Sequence, residues 1–339
     1  MLQAGKSNSQ HNDYLCTEIF RSMFNRYWRE YPVFLQLILL MLMVFIMMSF
    51  SSVIIIATAD KLYQVSPKAI AGLGPNSDSN LINAGRFAQM IGNLLVFLVS
   101  AVLFANFTHP KPFSYLGFHR PEKSTRFIVV LIAAIAFIPL VEQISSWMQL
   151  IDFGKTVRAT QQAQTETYKA FLRMNTPSAF LQVLFIMAVV PAIGEELLFR
   201  GIIMRFAYKA TRNAGLSIFI SAALFSYVHG TLYNFLPILL AGILLGYIYY
   251  ITGSIWFSML FHFINNGVQI AIAYCSQHGL LPAKLESMDS LPLYVIVLSV
   301  ALIAAGIWIL KKQKTPLPED WGNDFSPAEI AAKEEQQNF

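Results

Sequence analysis

The sequence predicts an all-α, polytopic membrane protein with about eight transmembrane helices enclosing an intramembrane cavity. Three observations carry this. Of the 339 residues, 55% are hydrophobic and only 13% are charged, with a mean hydropathy of +0.52. A soluble domain carries roughly a quarter charged residues, so this chain has too few to cover a water-facing surface. Its apolar residues fall into separate runs of membrane-spanning length. The fourth, fifth and seventh of those runs hold glutamates or histidines, which hydrocarbon alone would not tolerate.

A crossing needs roughly 20 apolar residues. Windows of that length place spans at 33–57, 87–107, 126–147, 178–206, 216–231, 234–251, 255–275 and 293–310. The fourth is longer than one crossing requires and the fifth is shorter. Spans five, six and seven are joined by such short turns that they must be antiparallel neighbours. Residues 59–85, with Pro67, Gly72, Gly74, Pro75 and Asn76, read as an irregular loop. Residues 157–175 read as a polar helix lying on the membrane surface. The segment from Pro316 to Phe339 is polar, holds Pro316, Pro318 and Pro327, and reads as mostly disordered. The resulting organisation is an amino-terminal arm (1–32), transmembrane helices and loops (33–175), a core (176–275), a last loop and helix (276–310) and a polar tail (311–339).

The net charge of +5 matters by its placement. Arg21, Arg26 and Arg29 precede the first span and Lys311, Lys312 and Lys314 follow the last, as juxtamembrane anchors do. An even number of spans puts both termini on one side. The basic stretches at 111–126 and 205–212 then join them on the cytoplasmic face of what reads as the cell (inner) membrane. Lys155, Arg158, Lys169 and Arg173 fall on the opposite face, against that rule. No continuous basic surface supports nucleic-acid binding. Cys16 and Cys275 form neither a disulfide framework nor a metal finger. The polar first 32 residues contain no signal peptide, so the first span is expected to act as its own insertion signal.

The fourth span, SAFLQVLFIMAVVPAIGEELLFRGIIMRFAY, holds Glu195, Glu196 and Arg200 near its middle. A charge at the bilayer centre costs at least about 2.5–3.5 kcal/mol, so each must be paired, buried in protein or wet. Glu196 and Arg200 are one turn apart in the favourable acid-to-base order. Glu195 points about 100° away around the helix and is left for another partner. Upstream, Pro191 and Gly194 are expected to kink the helix and open space beside Glu195. His229 ends the fifth span, one turn beyond Phe225, and His262 and Asn266 share a face of the seventh. Asn265 lies off that face.

No Gly-x-Ser-x-Gly turn presents a serine nucleophile, Cys275 has no base at a useful spacing, and there is no His-Glu-x-x-His helix. What remains is carboxylate and imidazole acting on water. A desolvated glutamate is a stronger base, an imidazole can pass a proton to the leaving amine, and His262 and Asn266 can donate to an oxyanion. Two acids and two histidines can alternatively hold zinc with bound water as nucleophile.

Glu195-Glu196-x-x-x-Arg200, Phe225-x-x-x-His229 and His262-x-x-x-Asn266, in that order, resemble the three motifs of the type II CAAX prenyl endopeptidases, also called the CPBP (CAAX protease and bacteriocin-processing) family. The likeness covers roughly residues 176–275 and includes the run Tyr249-Tyr250-Ile251-Thr252-Gly253-Ser254. It implies an eight-helix fold around a conical cavity and a glutamate-type or metal-dependent intramembrane endopeptidase, an enzyme used in processing CAAX-box proteins. Glu195 would be general base, helped by His229, with His262 and Asn266 stabilising the oxyanion. Glu196 completes the catalytic set, and it and Arg200 would hold the site in shape with Phe225 as structural support. No cofactor is expected; were zinc present, Glu195, His229 and His262 would hold it. The implied partner is a membrane-anchored or lipidated peptide or protein, beside the bilayer itself. Two other readings stand beside it: a non-catalytic scaffold or bacteriocin-immunity protein on the same fold, and a proton-coupled transporter, which the lack of an internal repeat disfavours.

Overall fold

Leu, Ile, Phe and Met dominate the apolar runs and satisfy their own backbone as helices, which hydrocarbon demands. The computed structural model describes residues 27–121, 124–281 and 291–337. Cys16, Arg21, Arg26 and Lys123 lie outside them. The described residues are all-helical, without strands. The helices are α1 (Val33–Tyr63), α2 (Ser79–Thr108), α3 (Thr125–Gln149), α4 (Lys155–Phe171), α5 (Pro177–Thr211), α6 (Ala214–Val228), α7 (Leu232–Thr252), α8 (Ile255–Gln277), α9 (Leu293–Lys312) and α10 (Pro327–Gln337). Seven of them, α1, α2, α3, α5, α7, α8 and α9, are long and apolar enough to cross a membrane. The chain is an integral membrane protein. The expected fifth span is α6, whose 15 residues reach about 22 Å, short of a hydrocarbon core of about 30 Å.

Boundaries differ where polar residues belong to a helix. The expected loop at 59–85 is shorter, because α1 runs to Tyr63 and α2 starts at Ser79, where the Asp78 carboxylate accepts from the Leu81 amide at 2.7 Å. The added turns carry Arg86, buried, whose guanidinium donates to the carbonyls of Phe171 and Arg173, both at 2.8 Å. It thereby serves carbonyls that the end of α4 leaves unpaired.

The core has two halves. One joins Phe104, Tyr115, Phe199 and Phe206 with Tyr249 and Met259. The other packs Val130, Ala134 and Phe137 of α3 against Ile248, Phe257 and Phe261. Small residues let α6 and α7 approach: a Cβ on Gly242 would lie 2.9 Å from the Ala222 Cβ.

The expected disorder after Pro316 is corrected. Trp321 is buried against Tyr208 and Tyr249. Asp324, fully buried, accepts from Arg205 Nε at 2.7 Å and from Lys209 Nζ. Arg205 also donates to the carbonyls of Tyr115 and Asp320. α10 meets the amino-terminal segment through Arg29–Glu329 at 2.7 Å and Lys333–Glu30 at 2.6 Å. The polar tail is ordered because its acids match the basic end of α5, so both described ends lie on one face.

Candidate active site

The long α5 carries the two acids at its middle, between two stretches of wider π-helical winding, Phe185–Val189 and Leu197–Ile203. Such local widening turns side chains away from a regular helix face and recurs at functional sites. Glu196 and Arg200 are fully buried, and Arg200 Nη1 meets Glu196 Oε1 at 2.8 Å, as their spacing predicts. Arg200 Nη2 donates to the Gly242 carbonyl at 3.2 Å. Its guanidinium lies 4.6 Å from the centroid of the Phe225 ring.

The same Glu196 Oε1 lies 2.8 Å from Nδ1 of His262. An ionised carboxylate only accepts, so Nδ1 carries the proton and the ring presents Nε2 in the other direction. There it faces Glu195, whose Oε2 is 3.8 Å away. His262 thus stands between the two adjacent glutamates, one fixing the ring and the other facing its working nitrogen. His229, at the end of α6, approaches the Phe225 carbonyl at 2.7 Å through Nδ1. A carbonyl is also an acceptor, so a neutral His229 presents an unprotonated Nε2. Phe225 packs edge-on to both imidazoles, 4.7 Å from His229 and 5.9 Å from His262.

Glu195, His229, His262 and Asn266 line one cavity of about 510 Å³. At about 30 Å³ per water, it has room for on the order of fifteen waters. Pro191 lines the same cavity, as expected of it. Gly194 does not open space there: a Cβ on it would lie 3.1 Å from the Leu98 backbone nitrogen, so this glycine brings α5 against α2. Asn265 also borders the cavity, despite the angle separating it from His262 on an ideal helix.

The sequence reading passes over part of the wall. α4 contributes Gln161, Gln164, Thr165 and Tyr168, and α3 contributes Glu142 and Ser145. Thr231 Oγ1 donates to Gln161 Oε1 at 2.5 Å, tying the turn after His229 to α4. Gly230 makes that turn with φ +91°, a backbone setting that favours glycine, and a Cβ there would meet Gln164 Nε2 at 2.9 Å. The sequence marks α4 as a polar helix on the membrane surface and gives no sign of the cavity it borders. Glu142 is a lone acid within an apolar run, and that was the signal available for it.

Residues 177–268 match the family model of the type II CAAX prenyl endopeptidase Rce1-like proteins. The Rce1-like region runs from the start of α5 into α8 and contains both glutamates, both histidines, Arg200, Phe225 and Asn266. No curated protein and no solved structure matches the chain. An Rce1-like region implies peptidase activity on protein substrates in the membrane. Zinc was the open alternative, with Glu195, His229 and His262 as ligands. Among the described residues, no three acid, histidine or cysteine side chains come together as a metal site requires. Those three border one cavity without converging on one point, so the donor set does not fit, and no step is routed through a metal.

Proposed function

We propose that the protein is an intramembrane endopeptidase that hydrolyses a peptide bond with water activated by Glu195 and an imidazole. The observation that carries it is the pairing of Glu195 with the Nε2 edge of His262, 3.8 Å apart at the wall of a cavity with ample room for water. Glu195 takes the proton of a bound water as it attacks the scissile carbonyl. His229, with Nδ1 committed to Phe225, accepts or returns a proton at Nε2 and delivers it to the leaving amine. The second amide hydrogen of Asn266 donates to the developing oxyanion, and His262 Nε2 joins it only in the doubly protonated ring. Glu196 touches neither water nor substrate; it positions His262 and neutralises Arg200. The cycle needs no metal.

The substrate is a membrane-anchored or lipidated protein segment that enters the cavity, and the termini face the cytoplasm of the cell (inner) membrane. A scaffold or immunity function would need neither imidazole to be oriented, whereas both have Nδ1 committed and Nε2 presented. The test is reconstitution in liposomes with a library of membrane-anchored peptides in H₂¹⁸O, with products read by mass spectrometry. New carboxyl termini carrying one ¹⁸O, formed equally with a strong chelator present, are expected. Absence of any cleavage, or its loss on chelation, overturns the reading.

A further inference from the structure

The cavity has a second carboxylate that the mechanism leaves unused. Glu142, from α3, faces the same space as Glu195. Among the described residues no hydrogen-bonding or ion-pairing group meets it. Glu196 is matched by Arg200 and withdrawn from the cavity. Glu142 is not, and no lysine or arginine stands among the described residues that line the wall. The remaining polar lining is rich in carboxamides: Gln89 and Asn93 of α2, Gln161 and Gln164 of α4, Asn234 of α7 and Gln269 of α8. Each offers both donors and an acceptor, the complement of an extended peptide backbone.

A carboxylate set among apolar helices is retained where it meets a partner or water. Glu195 has its use in activating water. Among the described residues Glu142 meets no counter-charge, and the partner it suits is one that arrives with the substrate. We propose that the cavity takes an internal peptide segment bearing a lysine or arginine, that Glu142 selects this cation, and that a free C-terminal carboxylate is disfavoured. The inference rests on the peptidase reading of the same cavity and narrows its substrate class. Two acids facing one space, with no lysine or arginine among the described lining residues, repel an incoming carboxylate and attract an ammonium or guanidinium. Tyr168, on the wall of the same cavity, supplies a ring beside which a cationic stem can lie.

The test separates binding from turnover. Full-length Glu195→Gln protein in detergent is titrated with fluorescent peptides that differ at one central residue (Lys, Gln or Glu) and that end in either an amide or a free acid. The Lys peptide should bind at least about tenfold more tightly than the Gln peptide, and amidated forms more tightly than free acids. Adding Glu142→Gln should bring the Lys and Gln peptides to equal affinity, and Glu142→Lys should favour the Glu peptide. Equal affinity for Lys and Gln peptides with Glu142 in place overturns the proposal, as does a lysine preference that survives Glu142→Gln. If the wild-type protein binds the Lys peptide with this preference but does not cut it, the specificity stands and the peptidase reading fails.

Discussion

The side-chain nitrogen of Asn266 lies 3.2 Å from the carbonyl oxygen of Met187, the residue four before Pro191. Proline has no N–H to give that carbonyl, and α8 donates to it across the interface. One amide therefore does two things: it helps close the backbone of the glutamate-bearing helix and it borders the cavity beside His262. This predicts a separable pair of losses. Asn266→Ala should cost about 1–3 kcal/mol of stability for the unserved buried carbonyl, and about 10²- to 10³-fold in kcat for a lost oxyanion donor. Restoring the donor with Pro191→Ala in the Asn266→Ala background should return stability, read by thermal unfolding in detergent, and not turnover.

Glu196, Arg200 and His262 form a buried chain through a single carboxylate oxygen. Removing one partner of such a pair leaves the other charge uncompensated, at a cost of roughly 3–5 kcal/mol. Arg200→Met should destabilise by that order. The apolar double replacement Glu196→Leu with Arg200→Met should recover most of the stability while activity stays low, because His262 has lost the acceptor that fixes its tautomer. Recovery of turnover in the double variant would show that Glu196 serves packing alone.

α6 and α7 touch through Gly242, whose carbonyl also accepts from Arg200. Gly242→Ala puts a methyl group 2.9–3.0 Å from Ala222 Cβ and Cα, and one of the helices must shift. A loss of about 1–3 kcal/mol is expected, with turnover falling because His229 rides on one displaced element and Arg200 is hydrogen-bonded to the other. Gly72→Ala, where a Cβ meets nothing, is the control and should leave both unchanged.

The docked tail should loosen in acid. His109 is buried near Asp320, and burial together with the nearby Arg29 and Arg205 lowers its pKa below the usual 6.5. Glu329, hydrogen-bonded by Arg29 and the Ser326 amide, is lowered from 4.5 to about 2. Both groups bind protons more tightly in the undocked chain. Their contributions are full above about pH 6.5 and 4.5 respectively, and are lost as pH falls through the lowered folded values. Limited proteolysis between Lys314 and Phe325 should accelerate below pH 6.5 and again below 4.5. Asp324→Asn, which halves the charge match for Arg205 and Lys209, should produce the same exposure at neutral pH. A cleavage rate that does not change with pH contradicts this account of the tail.

How much of this was legible in the residues depends on range. Pairs one helical turn apart, such as Glu196 with Arg200 or Phe225 with His229, follow from helical periodicity and stand in the structure as their spacing implies. The apolar runs likewise became helices, because hydrocarbon leaves the backbone no other solution. What periodicity could not reach is the meeting of distant parts. The Asp324 carboxylate finds Arg205 and Lys209 more than a hundred residues away, so a polar tail that composition reads as disordered is in fact seated. Gly194 looked like room for Glu195, yet it faces α2, because the π-helical turns on either side rotate the helix in a way no regular 100° step describes. Asn265 borders the cavity beside Asn266 despite its angle from His262. Glu142 escaped notice because a lone acid in an apolar run has no motif around it until α3 is folded against α8, beside the cavity that α4 also lines.

The most direct measurement is kcat for Glu195→Gln against the wild-type protein on a peptide the wild-type cuts, with thermal unfolding and Lys-peptide binding recorded on the same preparations. Gln keeps the size of the side chain and its contact with His262 but cannot take a proton from water. The account predicts a folded protein that binds its peptide and turns over at least about 10³-fold more slowly. Turnover within a few-fold of wild type would contradict it.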